Sequence, residues 1–436
     1  MFRGTSTSAF LLVCVASFGA LRMLVGATSA LFLLDQGLDL SRLAYLKAMQ
    51  AVIVVLLEVP LGYLADSLGR RWAIIGAVGF GAAWLLMTGL APSPGWLWGA
   101  EVCNALSICL STGAMTAEFL DRRLDEESHL EGEGGTSQQD EMGLRDGARE
   151  AGADAEPDRA REALALLSRW EFSASALAAG LGGLLYPAFP RGTWVAAGVG
   201  CLGIACAYLV YSRHFPPLGF GATTRGPADP EARGHGGSDR WRTVFGLRRR
   251  LLGSIAVAGL LYAAFQVAIQ YWQVSVTEVF PESFADHSLG PVLGGLFVAI
   301  LWVQSRVTSL SRVVAASPSG YLLAAGLPAT GWLVAQVTGS FLVLAAALLL
   351  FFWCFRACDV AVSAAISTAA GAGLRATALA ARSTLARILA ASLLPAAGVA
   401  VTRFDGSVGA VVVVLAVCLA AGTVFAVNAA LARRAE

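Results

Sequence analysis

The chain has 436 residues, of which 56% are hydrophobic and only 14% are charged, and its formal net charge is +1. Soluble domains carry roughly 25% charged residues, so this composition excludes an ordinary soluble protein and indicates an integral membrane protein. The eight cysteines form no CxxC pair and the four histidines lie in predicted loops, so the sequence gives no support to a metal site.

Twelve stretches of the sequence are long and apolar enough to form transmembrane helices, since about 20 such residues cross a bilayer. We therefore predict an all-α integral membrane protein with twelve transmembrane helices in two six-helix halves. The predicted spans are residues 9–34, 43–65, 72–91, 96–120, 163–188, 193–211, 251–276, 289–310, 319–337, 340–366, 376–401 and 408–431. The first span is too long for the core of a secretory signal, so we interpret it as a retained helix.

The first two spans carry charges that are difficult to place in lipid. Arg22 lies near the middle of the first span, and Glu58 lies in the second, just before Pro60. A charge inside the bilayer costs at least ~2.5 kcal/mol on insertion scales and is usually offset by pairing or by a function. We expect Arg22 to line a cavity, and it could pair with Glu58.

A short polar string, GYLADSLGRR, separates the second and third spans. Its two glycines predict a tight turn, because glycine accepts backbone angles that side chains disfavour. Its two arginines predict that the turn lies on the cytoplasmic side. The string resembles the loop signature of the major facilitator superfamily of transporters. The residues that carry the resemblance are Gly62, Leu64, Asp66, Gly69, Arg70 and Arg71.

The resemblance implies a transporter that works by alternating access, with a gate at its inner face. In the family, the acid matching Asp66 meets the inner end of the eleventh helix, which here carries Arg375. The arginine matching Arg70 pairs with an acid at the inner end of the fourth helix, where this chain offers Glu118 and Asp121.

The chain also departs from the family pattern. Ser67 stands where the family usually has a basic residue, and the corresponding inner loop of the second half, around residues 306–312, lacks the signature. We therefore expect the gate to be asymmetric.

The fourth span carries Glu101, with Asn104 one helical turn later. Either a structural hydrogen bond or contact with a substrate would explain this pair. The span is followed by a polar insert, residues 121–162, with fourteen acids and six arginines. Its high charge and low hydrophobicity predict disorder, and it is either a solvated insert or a segment that tunes access from the inside.

A second polar segment, residues 213–250, contains several prolines and glycines and separates six spans from six. We interpret it as a cytoplasmic central linker. The predicted domains are therefore residues 1–212, which include the insert, and residues 251–436.

The seventh span has a polar face in an otherwise apolar helix. Gln266, Gln270 and Gln273 recur at a helical spacing, next to Tyr271 and Trp272. Such amides and aromatic rings either hydrogen-bond a neighbouring helix or bind a mostly apolar organic solute.

In the tenth span, two opposite charges lie three residues apart, so an internal ion pair or a role in coupling is expected. These two residues are Arg356 and Asp359.

Small residues are expected to let the helices approach closely, since lipid offers no hydrophobic force between helices. The third, fifth and sixth spans each contain three closely spaced glycines. These are Gly76, Gly79, Gly81, Gly180, Gly182, Gly183, Gly198, Gly200 and Gly203.

Most of the 31 lysine and arginine residues lie in loops on one side of the predicted topology. Positive charge favours the cytoplasmic side, so both termini are predicted to be cytoplasmic in a multi-pass protein of the cell membrane. We expect a monomer with the bilayer and a small-molecule substrate as partners, and no nucleic acid.

No GxxxxGK[ST] motif is present, so ATP is not expected to drive transport directly. We expect no cofactor and no catalytic residue, and a proton gradient as the energy source, with Glu58 or Glu101 as the proton carrier. Efflux of a small organic solute is the first hypothesis, and uptake by proton symport is the alternative. A sensor or a membrane enzyme on the same scaffold is a further alternative.

Overall fold

The computed structural model describes residues 7–111, 114–134, 145–214, 249–280, 285–306, 318–404 and 406–434. All regular secondary structure within these ranges is helical. The helices are α1 (Thr7–Leu24), α2 (Ser29–Asp35), α3 (Leu40–Leu68), α4 (Arg70–Gly89), α5 (Pro94–Ser111), α6 (Ala114–Gly134), α7 (Arg145–Leu185), α8 (Pro190–Tyr211), α9 (Arg249–Val279), α10 (Ala285–Ser305), α11 (Pro318–Thr338), α12 (Phe341–Phe404) and α13 (Val408–Arg434).

Nine helical segments in the described part of the chain are long and apolar enough to cross a membrane. The other three predicted spans also coincide with helices, on α5, α7 and α11. Large apolar side chains are exposed along these helices, among them Leu177 at 77% and Leu342 at 79%. Such surfaces are suited to lipid contact. The prediction of an all-α multi-pass membrane protein is confirmed.

The first predicted span consists of two helices, because residues 25–28 turn between α1 and α2. The first N–H groups of a new helix lack acceptors within that helix. In the first turn of α2, the buried N–H of Ala30 donates to Oε1 of Gln273 at 2.8 Å. A side chain of α9 therefore supplies an acceptor at the start of α2.

The turn between α3 and α4 is shorter than the polar string suggested. Only Gly69 separates the two helices, and its φ of 93° is in the left-handed region that favours glycine. Gly69 thus makes the predicted turn. The corresponding expectation for Gly62 was wrong, because α3 continues through it to Leu68.

The tenth and eleventh predicted spans lie within a single helical element, α12. A straight helix of its 64 residues would be about 96 Å long, several times the thickness of the hydrocarbon core. However, Arg382 hydrogen-bonds to Ser363 at 2.6 Å, although a straight helix would separate them by roughly 28 Å. The chain therefore doubles back between these residues and forms two apolar segments, Phe341–Ser363 and Ala381–Phe404.

The polar insert at residues 121–162 was predicted to be disordered, but its two ends are helical. Helix α6 extends to Gly134 and α7 begins at Arg145, so helix covers both ends of the insert. Opposite charges one turn apart support α6, since Arg122 Nε lies 3.0 Å from Glu118 Oε1. Residues 135–144 lie outside the described ranges.

The chain forms two compact units, and each includes one segment from the other half of the sequence. The first unit comprises Met1–Thr28, Leu56–Phe215 and Gly290–Ser305, and the second comprises Ser29–Val55, Pro216–Leu289 and Arg306–Glu436. The domain boundary at the linker, residues 213–250, stays a prediction, because residues 215–248 lie outside the described ranges.

In the first unit, α4 packs against α5 and α8, and α1 packs against α7. Its core includes Leu85 and Trp194, each at most 1% exposed. Glu126 on α6 accepts hydrogen bonds from the backbone N–H of Ser8 at 2.9 Å and from its hydroxyl at 2.6 Å. The carboxylate therefore caps the start of α1, where the helix dipole favours negative charge.

In the second unit, α9 and α11 each pack against α12 and α13. A similar cap lies at the start of α13. Glu278 accepts the backbone N–H of Ser407 at 2.8 Å and its hydroxyl at 2.5 Å, and Ser275 donates to the same hydroxyl at 2.9 Å. These bonds tie the end of α9 to the beginning of α13.

Several of the predicted glycines lie at close helix contacts. A Cβ added to Gly183 would lie 2.5 Å from the carbonyl oxygen of Gly290, and one added to Gly182 would overlap the carbonyl of Leu24. Gly81 and Gly198 are crowded by side chains, since an added Cβ would lie 2.8 Å from the ring of Phe18 and 2.6 Å from Cγ of Leu86, respectively. In contrast, a Cβ on Gly79 or Gly203 would meet nothing within 4 Å, so only part of the predicted glycine set serves close packing.

We predict that Gly183→Ala lowers the thermal stability of the protein, because its methyl group would press on the backbone of α10. Overpacking of this kind typically costs about 1–3 kcal/mol. The matched control is Gly295→Ala on α10 itself, where an added Cβ meets nothing within 4 Å. Helix propensity favours alanine by up to about 1 kcal/mol, so the control should be neutral or slightly stabilising. Thermal unfolding of the detergent-solubilised variants measures both effects, and equal melting temperatures would contradict the close contact.

Candidate functional site

Arg22 lies on α1, two residues before the end of that helix. It is partly buried among apolar helices of the first unit. Because insertion scales assign a charge at a helix centre a cost of ~2.5–3.5 kcal/mol, its hydrogen-bonding partners decide whether the position is tolerated.

The guanidinium of Arg22 is held by two side chains of α5. Nη2 donates to Oδ1 of Asn104 at 2.7 Å, and Nη1 donates to the hydroxyl of Ser107 at 3.3 Å. These acceptors lie three residues apart and share a helix face. The hydroxyl of Ser107 itself donates to the carbonyl of Ala77 at 2.7 Å, so α4 fixes its orientation.

Asn104 connects Arg22 to a buried acid. Its amide nitrogen donates to Oε2 of Glu101 at 3.0 Å while its amide oxygen accepts from Arg22. Glu101 is 2% exposed and Asn104 is 3% exposed. The amide thus bridges a positive and a negative side chain. Among the described residues, the hydrogen bonds of Arg22 go to Asn104 and Ser107 and none goes to Glu58, which is partly buried.

Two aromatic rings enclose the guanidinium. Its Cζ lies 4.7 Å from the ring centroid of Trp84 and 5.6 Å from that of Phe18. Cation–π contacts are worth about 0.5–2 kcal/mol, more when water is excluded. Trp84 also meets Trp194 edge to face, at 5.6 Å and 84°.

Sequence reasoning missed Phe18, Trp84 and Ser107 as parts of this site. A signal existed for Phe18, which precedes Arg22 by four residues on one helix face, and for Ser107, which follows Asn104 by three. Nothing in the sequence indicated that Trp84 of α4 would lie beside α1, because that proximity depends on tertiary packing.

The three glutamines on the polar face of α9 differ in their burial and hydrogen bonding. Gln273 is 1% exposed and accepts from Ala30, so it has a structural partner. Trp272 is fully buried. Gln266 and Gln270 are partly buried, and their side chains have no hydrogen-bond partner among the described residues. Of the three glutamines, Gln266 and Gln270 are therefore the ones that the described part of the chain leaves available to a solute.

Arg356 and Asp359 form the ion pair expected from their spacing, with Nη1 and Oδ2 at 2.9 Å. Sequence reasoning did not place a second arginine there. Arg382 also contacts the carboxylate of Asp359, and it donates to the hydroxyl of Ser363. One carboxylate is therefore shared by two guanidinium groups, and the group carries a net positive charge.

At the predicted inner end of the fourth span, Arg70 forms an ion pair with Asp121. The other candidate acid, Glu118, pairs instead with Arg122, and both side chains are less than 10% exposed. Arg71 donates to the carbonyl of Leu209 at 3.4 Å. A gating role for these contacts stays a prediction. The side chains of Leu64, Asp66 and Arg375 lie outside the described part of the structure.

Among known proteins, the matches to this chain are solved structures, and the likeness is in the fold. No protein-family model matches the chain, and no curated protein matches it. Solved structures do match. The structure of the nucleoside transporter NupG matches at 13% identity and a TM-score of 0.66, and the match covers 98% of this chain and 99% of that one. A bacterial homologue of the human lysosomal transporter Spinster matches at 14% identity and TM-score 0.70, covering 97% and 96%.

A POT family transporter, solved in complex with 5-aminolevulinic acid, matches at 10% identity and TM-score 0.64, covering 98% of this chain and 96% of that one. These likenesses extend over nearly the whole length of each protein. The chain therefore shares the fold of these transporters, and the all-helical membrane fold predicted from its apolar spans is confirmed.

We predict that Asp359→Asn destabilises the second unit, because it leaves Arg356 and Arg382 facing each other without a counter-charge. Breaking a buried pair costs about 3–5 kcal/mol, and partial exposure of this group should reduce the loss to roughly 2 kcal/mol. Adding Arg382→Gln should restore part of that stability. Asp39→Asn, which removes an exposed partner of Arg42, is the control. Thermal unfolding of the four proteins tests this, and an unchanged Asp359→Asn variant would rule out the shared carboxylate.

Proposed function

We propose that the protein is a secondary transporter that moves a small organic solute across the cytoplasmic membrane by alternating access. The fold supports this, since the three matching structures named above are transporters. The cluster of Arg22, Asn104 and Glu101 is the observation that carries the proposal. Ionisable side chains inside a membrane protein are costly and commonly mark a transport pathway.

The remaining free polar groups support an organic solute. Gln266 and Gln270 are partly buried, and hydrogen-bonding groups on apolar helices suit a solute that is mostly apolar and partly polar. They lie on α9, four residues apart and therefore on one face.

We further propose that proton movement drives the transport, with Glu101 as the carrier and Glu58 as the other candidate. Glu101 is the better placed of the two, because Asn104 links it directly to Arg22. Protonation of Glu101 removes the negative charge that balances Arg22, so the charge on one residue influences the other. Efflux is our first hypothesis for the direction.

The ion pair between Arg70 and Asp121 fits a gate that holds one access state. Both side chains are about one-third exposed, at 35% and 30%. Exposed pairs contribute little to stability, typically about 0–1 kcal/mol, so this contact can break and reform without unfolding the unit. Its position next to the turn at Gly69 places it between α4 and α6.

The direction can be tested in inside-out vesicles from cells that produce the protein. The vesicles are supplied with a total small-molecule extract of the host cells, under a pH gradient with an acidic lumen, and accumulated solutes are identified by mass spectrometry. Proton-coupled efflux predicts at least one solute that accumulates only with the protein present and disappears when a protonophore collapses the gradient. Accumulation under the reversed gradient would indicate uptake, and no accumulation under either gradient would contradict transport.

Two matched variants separate the candidate carriers. We expect Glu101→Gln to abolish gradient-driven accumulation while exchange of the same solute across the membrane persists, because the neutral amide cannot carry a proton. Glu58→Gln should retain at least part of the gradient-driven accumulation. The reverse result would assign the carrier role to Glu58.

A further inference from the structure

Arg22 has more hydrogen-bond donors than the described residues around it have acceptors for. A guanidinium has five N–H donors. Asn104 accepts one N–H from Nη2 and Ser107 accepts one from Nη1. The Nε–H and one N–H on each terminal nitrogen have no acceptor among the described residues. Since Arg22 is only partly buried, these donors are available to an acceptor that enters the site.

Trp84 adds a further donor to the same place. Its side chain is 7% exposed, and its indole N–H has no hydrogen-bond partner in the described part of the structure. Its ring lies 4.7 Å from the Cζ atom of Arg22. Two side chains in contact with each other are therefore both left with unused donors.

The two side chains that accept hydrogen bonds from Arg22 also bond to other groups. Asn104 uses its oxygen for Arg22 and its nitrogen for Glu101, and Ser107 donates to Ala77. Glu101 is held at the far side of Asn104, so within the described ranges no carboxylate hydrogen-bonds directly to the guanidinium. The group that would complete the site must accept several hydrogen bonds, and an anionic oxygen group does this best beside a guanidinium.

We propose that Arg22 and Trp84 bind the anionic group of an amphipathic organic anion, with a carboxylate as the simplest case, and that this anion is the transported substrate. This inference rests on the proposed transport function. A planar carboxylate matches the two parallel N–H groups of a guanidinium, and the contact is strong because both partners are charged. The rings of Phe18 and Trp84 supply apolar surface and exclude water, which strengthens the ionic contact.

The structure also explains why other solutes should bind less well. A cation would be repelled by Arg22, and an uncharged solute would leave the guanidinium without a directly bonded counter-charge. The preference should therefore depend on charge when size and shape are kept constant. This distinguishes the site from a purely apolar cavity, which would prefer the amide, because burying an unpaired carboxylate costs more than burying an uncharged amide of the same shape.

Binding to the full-length detergent-solubilised protein, measured by isothermal titration calorimetry, tests the preference. The probes are acetate, benzoate and 1-naphthoate, with 1-naphthamide as the uncharged match and 1-naphthylmethylammonium as the cation. We expect affinity to rise from acetate to naphthoate, and naphthoate to bind at least about tenfold more tightly than naphthamide, as expected for one charge-assisted hydrogen bond. Equal affinities for the carboxylate and the amide, or no binding of any carboxylate, would overturn the proposal.

Variants then locate the preference. Arg22→Gln should remove it, Arg22→Lys should retain part of it because the charge remains, and Trp84→Phe should weaken naphthoate binding because the N–H is lost while the ring is kept. The control Arg403→Gln changes an exposed arginine at the end of α12 and should bind as the unmodified protein does. Unchanged naphthoate binding by Arg22→Gln would contradict the assignment. If Arg22→Gln does not fold, the comparison of probes on the unmodified protein and on Arg22→Lys decides the question.

Uptake of the same probes into proteoliposomes separates this inference from the proposed function. If naphthoate binds in an Arg22-dependent manner but does not cross the membrane, the anion site stands and the transport function fails. If uncharged solutes are transported and carboxylates have no advantage, the transport function stands and the anion site fails.

Discussion

The first unit depends on how it accommodates one guanidinium among apolar helices. Arg22 on α1 is held by Asn104 and Ser107 of α5, and Trp84 of α4 covers it. Hydrogen bonds to a charged group contribute about 1.5–3 kcal/mol each, enough to offset the cost of insertion and to hold three helices in one arrangement. The same contacts, within the described part of the chain, leave the charge without a directly bonded carboxylate. A purely structural arginine would be better served by an acid at position 104, so the neutral amide favours a functional role.

Breaks between the helices follow a related constraint. Lipid cannot satisfy exposed backbone groups, so each helix start needs an acceptor from the protein. The chain supplies these acceptors from distant side chains: Glu126 for Ser8 of α1, Gln273 for Ala30 of α2 and Glu278 for Ser407 before α13. Polar residues that look like site candidates in the sequence can thus serve as caps. Gln273 is the clearest example, because it bonds to α2, whereas the side chains of Gln266 and Gln270 on the same helix have no hydrogen-bond partner among the described residues.

Local patterns predicted the elements well and their contacts less well. Apolar length alone located the nine helical segments in the described ranges that are long and apolar enough to cross a membrane, and the arginine and acid three residues apart in α12 form an ion pair. The neighbours of Arg22 were harder, because Trp84 and Ser107 come from helices far away in sequence. The contact of Arg382 with Asp359 was not predicted for the same reason, because it requires α12 to double back. Gly62 was misjudged because a glycine in a helical pattern does not by itself end the helix, whereas the left-handed φ at Gly69 does.

Asn104→Asp tests most directly whether Arg22 is kept without a directly bonded carboxylate for the sake of a substrate. The change preserves size and shape and places a carboxylate against the guanidinium. We expect unchanged or higher thermal stability, together with a loss of carboxylate binding of at least about tenfold, because the new acid occupies Arg22. Carboxylate binding equal to that of the unmodified protein, in a variant of equal stability, would contradict it.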